Sequence, residues 1–243
     1  MIKGLYTIAS GMYPQWLEQE IVANNLANLN TTGFKKDSTY FKKVLDASLI
    51  LNTVQGEENG LSDVQKVVTN FEQGTLEPTN NPLNLAIDGN GFFVIQTPEG
   101  EKFTRNGNFR LDPENRLING DGNFVLGESG VITFTEGEIN INKDGEIYQN
   151  GVLIDKIRVV DFPQPYRLEK RGNSYFVPAD PDSQTIEPDS YIIRQGYLEN
   201  SNVNPIQEMI RMITISKNFQ VGQKLIQIQD RTMQKIINET SKF

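Results

Sequence analysis

Two runs of seven-residue spacing, one at each end of the chain, limit what it can fold into. Near the N-terminus Leu5, Met12, Gln19 and Leu26 recur every seven residues, and Ile8, Gln15, Val22 and Leu29 supply a second seam position. Six of these eight are apolar, the pattern of a helix packed along one stripe against another helix. A helix is therefore predicted from Gly4 to about Leu29. Pro14 opposes it, because an interior proline costs about 3 kcal/mol, so a kink or break is expected near Gly11–Pro14. At the other end Met212, Phe219, Ile226 and Met233 share the spacing, flanked by Met209, Ile213 and Ile237. Asn204 is placed to cap that helix, Pro205 suits its first position, and Gln207 stands where a capping box takes Glu or Gln. Its opening turns, IQEMIRMITI, are apolar nearly all round, which implies burial on more than one side.

Between the ends the texture changes. From Leu83 to about Gln195 short β-type runs such as GFFVIQT, EKFTR, NFVL and VLID alternate with turn signals such as PEG, DPEN, KDG and NG. That spacing predicts an antiparallel sandwich or barrel-like domain. Residues 35–82 read as a connecting segment. In it DVQKVVTNF is a short strand, SLILNTVQ a strand or helix end, and GEENG and PTNNP are turns. The fold class is thus α+β: residues 1–34 helical, 35–82 connecting, 83–197 β-rich, 198–243 helical.

Charge follows the same partition. The chain carries −8 in all; residues 1–46 hold five Lys against four acidic residues, and residues 200–243 hold six basic against three acidic, leaving −12 for the middle. An acidic middle argues against a nucleic-acid partner. No run approaches the roughly 18 apolar residues of a membrane span, and the N-terminus lacks the apolar block of a cleaved signal.

Cysteine and histidine are both absent. Disulfides, thiolate catalysis, histidine general bases and the commonest metal ligands are thereby excluded. NINKDGEIYQNG, residues 140–151, has a calcium-loop cadence, but Gly151 stands where a bidentate Glu is required, so a hairpin turn at Asp144–Gly145 is the better reading. No phosphate-binding glycine motif occurs, and no carboxylate pair stands out among 31 acidic residues. No catalytic, cofactor or metal residue is assigned.

Three stretches taken in order carry a resemblance: IVANNLANLNTTGFKK, then GTLEPTNNPLNLAIDGNGFFVIQTPEGEKFTRNGNFRLD, then GYLENSNVNPIQEMIRMITISKNFQVGQKLIQIQDRTM. Together they resemble the bacterial flagellar rod and hook protein family. The resemblance implies a non-enzymatic axial subunit of the basal body, exported without a cleaved signal and lying in the periplasm of a Gram-negative cell. It implies long terminal helices forming a coiled-coil-like layer, with the β domain outside. The implied partners are other copies of the chain, other rod and hook axial proteins, the flagellar export apparatus and the bushing rings around the rod. The short segment before GTLEPTNNP, and VLGESGVITF at residues 125–134, are similar to the proximal F-type subunit; the distal G-type is the alternative. A β-domain carbohydrate-binding protein or enzyme with helical arms is the reading from another class.

Carried over by position, Asn24, Asn25, Leu26, Ala27, Asn28, Thr32, Gly33 and Phe34 match the family's N-terminal signature. Asn202, Val203, Asn204, Glu208, Met209, Met212, Ile213, Phe219, Ile226, Asp230 and Met233 match the C-terminal one. With Leu5, Ile8, Met12 and Val22 of the first seam, these form the expected assembly interface. Asparagine is a poor interior helix residue, so the amides near residue 25 are expected to hydrogen-bond across packed chains, with Ala23 and Ala27 allowing close approach.

Overall fold

The computed structural model describes residues 2–41, 65–172, 174–180 and 183–240. The segment SLILNTVQ lies outside them. The chain divides into two compact units: Met1–Ala27, Lys36–Asn70 and Asn204–Phe243 form one, and Asn28–Lys35 with Phe71–Val203 form the other.

The first unit is a pair of antiparallel helices with a β-hairpin. Helix α1 spans Ile2–Ala27 and helix α2 spans Pro205–Thr240. Their direction follows from three contacts in opposite order along the two helices. Met12 lies on Gly222, where an added Cβ would come within 3.3 Å of its Sδ; Glu18 pairs with Arg211 at 3.0 Å; Asn25 reaches Glu208 at 3.3 Å. Ile21, Val22 and Ile215 are buried in this unit.

Helix α1 continues across Pro14, so of the kink or break expected at Gly11–Pro14 the break does not occur. Met12 before the proline and Val22 after it both pack inward, and burial on the two sides outweighs one missing hydrogen bond. Asn204 caps α2 as its position predicts, its Oδ1 accepting from the main-chain N–H groups of Ile206 (3.1 Å) and Gln207 (3.2 Å). The hairpin pairs Asp37–Phe41 with Gln65–Thr69.

Among the described residues every strand pairing of the second unit is antiparallel. Its largest sheet runs Leu168–Lys170, Tyr175–Pro178, Gly100–Thr104, Phe92–Thr97, Phe124–Gly127, Leu117–Ile118, Arg110–Leu111. The central strand explains the run GFFVIQT. Phe93 and Ile95 enter a core with Leu85, Phe109, Val125 and Ile147, while Phe92 and Val94 enter a second core with Phe103, Phe162 and Phe176. A strand covered on both faces needs no polar alternation. The second core is built on edge-on aromatic contacts, such as Phe103 with Phe162 at 4.9 Å between centroids.

The turns form as their residues dictate. Asn142 accepts a main-chain hydrogen bond from Gly145, whose φ is +84°, and so joins the strands Ile139–Ile141 and Glu146–Gln149. The NINKDGEIYQNG segment is thus two hairpins in succession, the second turning at Asn150–Gly151, where both φ angles are positive. Among the described residues no helix is long and apolar enough to cross a membrane.

Candidate functional site

The residues matched from the sequence fall into two places. In the helical unit, Asn25 is fully buried and its amide is committed within the chain. Its Nδ2 donates to the Asp37 carbonyl (2.8 Å) and to Glu208 Oε2 (3.3 Å), and its Oδ1 accepts from the Asp37 N–H (3.0 Å). Glu208, also fully buried, takes ion pairs from Lys36 and Arg211, each at 3.5 Å, and Arg211 continues to Glu18. Asn25 therefore ties helix end, hairpin and α2 together within one chain.

That commitment sets an expected result. Asn25→Leu leaves the Asp37 N–H without its partner and should destabilise the helical unit by about 1–3 kcal/mol. Urea unfolding of the purified chain, followed by far-ultraviolet circular dichroism, measures it; an unchanged midpoint would show that the amide contributes nothing there.

The other matched residues of this unit vary in exposure. Met12, Leu26, Met212, Phe219, Ile226 and Met233 are half-buried and Val22 is fully buried, whereas Asn24, Ala27, Asn204, Met209, Ile213 and Asp230 are exposed. Leu5 and Ile8 fall on α1 in a part described by its backbone alone. Position-matching missed a set of exposed aliphatic residues on α2: Ile206, Ile210, Val221, Leu225 and Ile228. For Ile206 and Ile210 the signal was present in the all-round apolar character of the helix start; Val221, Leu225 and Ile228 lie beyond it.

The remaining matches, Asn28, Thr32, Gly33, Phe34, Asn202 and Val203, lie in the β unit and join its two chain ends. Gly33 N donates to the Glu199 carbonyl at 2.7 Å, Thr32 Oγ1 to Asn106 Oδ1 at 2.7 Å, and Asn202 N to the Phe34 carbonyl at 3.4 Å. Phe34 is buried, with the Lys170 ammonium 4.1 Å from its ring centroid. Gly33 has φ +67°, and an added Cβ would stand 2.5 Å from the Arg105 carbonyl carbon and closer still to Asn106 nitrogen. Only glycine fits there, which accounts for the turn in TTGF.

At the centre of this junction is an ionic cluster that sequence reading did not single out. Lys35, 1% exposed, donates from Nζ to Glu199 Oε1 at 2.6 Å and to the Glu72 carbonyl at 2.7 Å. Arg105 reaches Glu199 Oε2 at 3.4 Å and the Gly89 carbonyl at 2.8 Å, and Gly74 N donates to Glu199 Oε1 at 3.0 Å. One buried carboxylate thus answers two buried cations.

Burial holds the Lys35 pKa below the usual lysine value, helped by Arg105 and opposed by Glu199. The unfolded chain keeps that proton up to about pH 10.4, and the folded unit releases it earlier. Between the two, the unfolded state binds more protons, so stability relative to Lys35→Met should rise with pH. Parallel urea titrations of the two proteins across that alkaline window check the sign; a falling difference would contradict it.

Comparison with known proteins gives these two places a common meaning. Residues 5–35 match the family described as flagella basal body rod protein, residues 86–149 the flagellar hook protein FlgE/F/G D1 domain, and residues 194–239 the flagellar basal body rod FlgEFG protein C-terminal region. The chain is similar to the flagellar basal-body rod protein FlgG of Bacillus subtilis, 30% identical over 261 aligned positions that cover 98% of this chain and 99% of the relative. The chain belongs to the flagellar basal-body rod protein family. It is likewise similar to FlgF of Caulobacter vibrioides, at 32% identity with 93% of each chain covered, and to FlgG of the same organism, at 30% identity with 96% and 97% covered. This rod protein is a structural, non-enzymatic subunit of the flagellar basal body. Two of its three family matches take in one terminal helix each with the β-unit residues beside it, and the third lies within the β unit.

Proposed function

We propose that α1 and α2 build a coiled-coil-like layer with copies of the chain and with neighbouring axial proteins, and that the β unit faces outward from it. Subunits in such a layer transmit torque through packed helices, with no chemistry at any one residue. The observation that carries this reading is the set of aliphatic side chains that α2 leaves in water, Ile206 at 66% and Ile210 and Ile228 at 59% exposure. Covering what remains exposed of each contributes about 1–2 kcal/mol, so a packed array is favoured over a single copy. Within the expected interface the apolar helix positions are Leu5, Ile8, Met12, Val22 and Leu26 with Met209, Met212, Ile213, Phe219, Ile226 and Met233, and the exposed Ile206, Ile210 and Ile228 extend them. Export without a cleaved signal, through the flagellar export apparatus, and passage through the bushing rings belong to the same reading.

Position along the rod has two readings. The short segment before GTLEPTNNP and the hairpin that VLGESGVITF forms, Phe124–Gly127 against Gly130–Val131, favour the proximal F-type place. The nearly complete alignment with G-type relatives favours the distal one. Deleting the gene and imaging isolated basal bodies separates them. A proximal subunit leaves no rod beyond the base when lost, and a distal subunit leaves a truncated one. Normal rods and normal swimming in the deletion strain would overturn the rod assignment itself.

A further inference from the structure

The helical unit presents two chemically different faces on opposite sides. On α1, Glu18, Val22 and Asn25 point toward α2, and Tyr13, Trp16 and Glu20 point away; Tyr13 and Trp16 are 63% and 48% exposed, with ring centroids 6.1 Å apart. On α2, Glu208, Ile215 and Gly222 point toward α1. Two residues past each of these, roughly 200° around a helix of 3.6 residues per turn, stand Ile210, Lys217 and Lys224, all exposed. Ile213, Val221 and Ile228 extend that face.

The charges on the two faces are opposite. Helix α1 has no Lys or Arg between Gly4 and Ala27, so Glu20 leaves its outward face acidic and aromatic. Between Met209 and Gln229 α2 has no acidic residue, so its outward face is basic and aliphatic. Meeting like with like would set Lys217 and Lys224 against their own counterparts. Meeting unlike faces matches charge with charge and ring with aliphatic surface.

We propose that the Tyr13–Trp16–Glu20 face of one copy docks on the Ile210–Lys217–Lys224 face of a second copy. This rests on the rod reading and adds the pairing rule. The contact is heterologous, head to tail, and each copy keeps one face free after using the other. Such contacts generate rings or open helical arrays, whereas a self-complementary face would stop at a dimer. A shaft built of copies requires the first kind.

The test places p-benzoylphenylalanine at Trp16 in the full-length chain in its own cells, and separately at Tyr13 as a second variant, since each site already holds an aromatic ring. Basal bodies are isolated and irradiated, and the joined peptides are identified by mass spectrometry. The expected product is a dimer of the chain, with the probe of one copy attached to α2 of another within residues 209–228. Attachment to α1 of another copy, attachment to a different protein, or no product from either site in basal bodies that contain the chain would each overturn the pairing while leaving the rod reading intact. Absence of the unmodified chain from wild-type basal bodies would overturn both.

Discussion

Glu199→Gln should destabilise the β unit by about 3–5 kcal/mol, the usual cost of removing one partner from a buried ion pair. Glutamine keeps the shape and can still accept from Gly74 N, but it leaves the charges of Lys35 and Arg105 in an interior where both are under 5% exposed. Against a total stability of about 5–15 kcal/mol for a domain, this is a large fraction. Lys35→Met should cost less, because Arg105 still answers the carboxylate and the methionine fills the space. Denaturant unfolding of both variants, with m-values compared to confirm two-state behaviour, reads the difference. If Glu199→Gln proved as mild as Lys35→Met, the cluster would be ornamental and the junction held by its hydrogen bonds alone.

Gly33→Ala should cost a similar amount for two separable reasons. A side chain at φ +67° pays about 1–2 kcal/mol of backbone strain. The new Cβ must also push aside the main chain at Arg105 and Asn106, and Arg105 is one of the two cations on Glu199. Gly122→Ala is the control, since its φ is +85° but nothing lies within 4 Å of an added Cβ. It should show the strain alone. A thermal unfolding comparison in which the two substitutions matched would mean that the close approach at Gly33 relaxes freely.

How far the sequence foretold this molecule depends on the range of each interaction. Helix α2 was readable from Asn204, Pro205 and the apolar spacing, because caps and stripes are local. The hairpins at Asp144–Gly145 and Asn150–Gly151 were readable because positive φ falls to so few residue types. Pro14 pointed to a break that does not form, since propensity is a local cost and the packing of Met12 and Val22 that offsets it is not. Asn25 was half readable: its spacing announced a partner, but nothing local said that Asp37 and Glu208 would bond it within the chain. Lys35 and Glu199, 164 residues apart, carried no periodic signal, so the junction of the β unit stayed hidden inside two motifs noticed for other reasons. The division of NNLANLNTTGFKK between two units, after Ala27 and again after Lys35, was equally invisible, because a continuous motif gives no sign of where packing changes hands.

Electron cryo-microscopy of isolated basal bodies, with the rod reconstructed at side-chain detail, would show whether the terminal helices form the packed layer. Helices α1 and α2 of adjacent copies should lie in contact around the rod axis as a continuous layer. Copies that touch only through their β units, with Ile206, Ile210 and Ile228 still facing water, would contradict it.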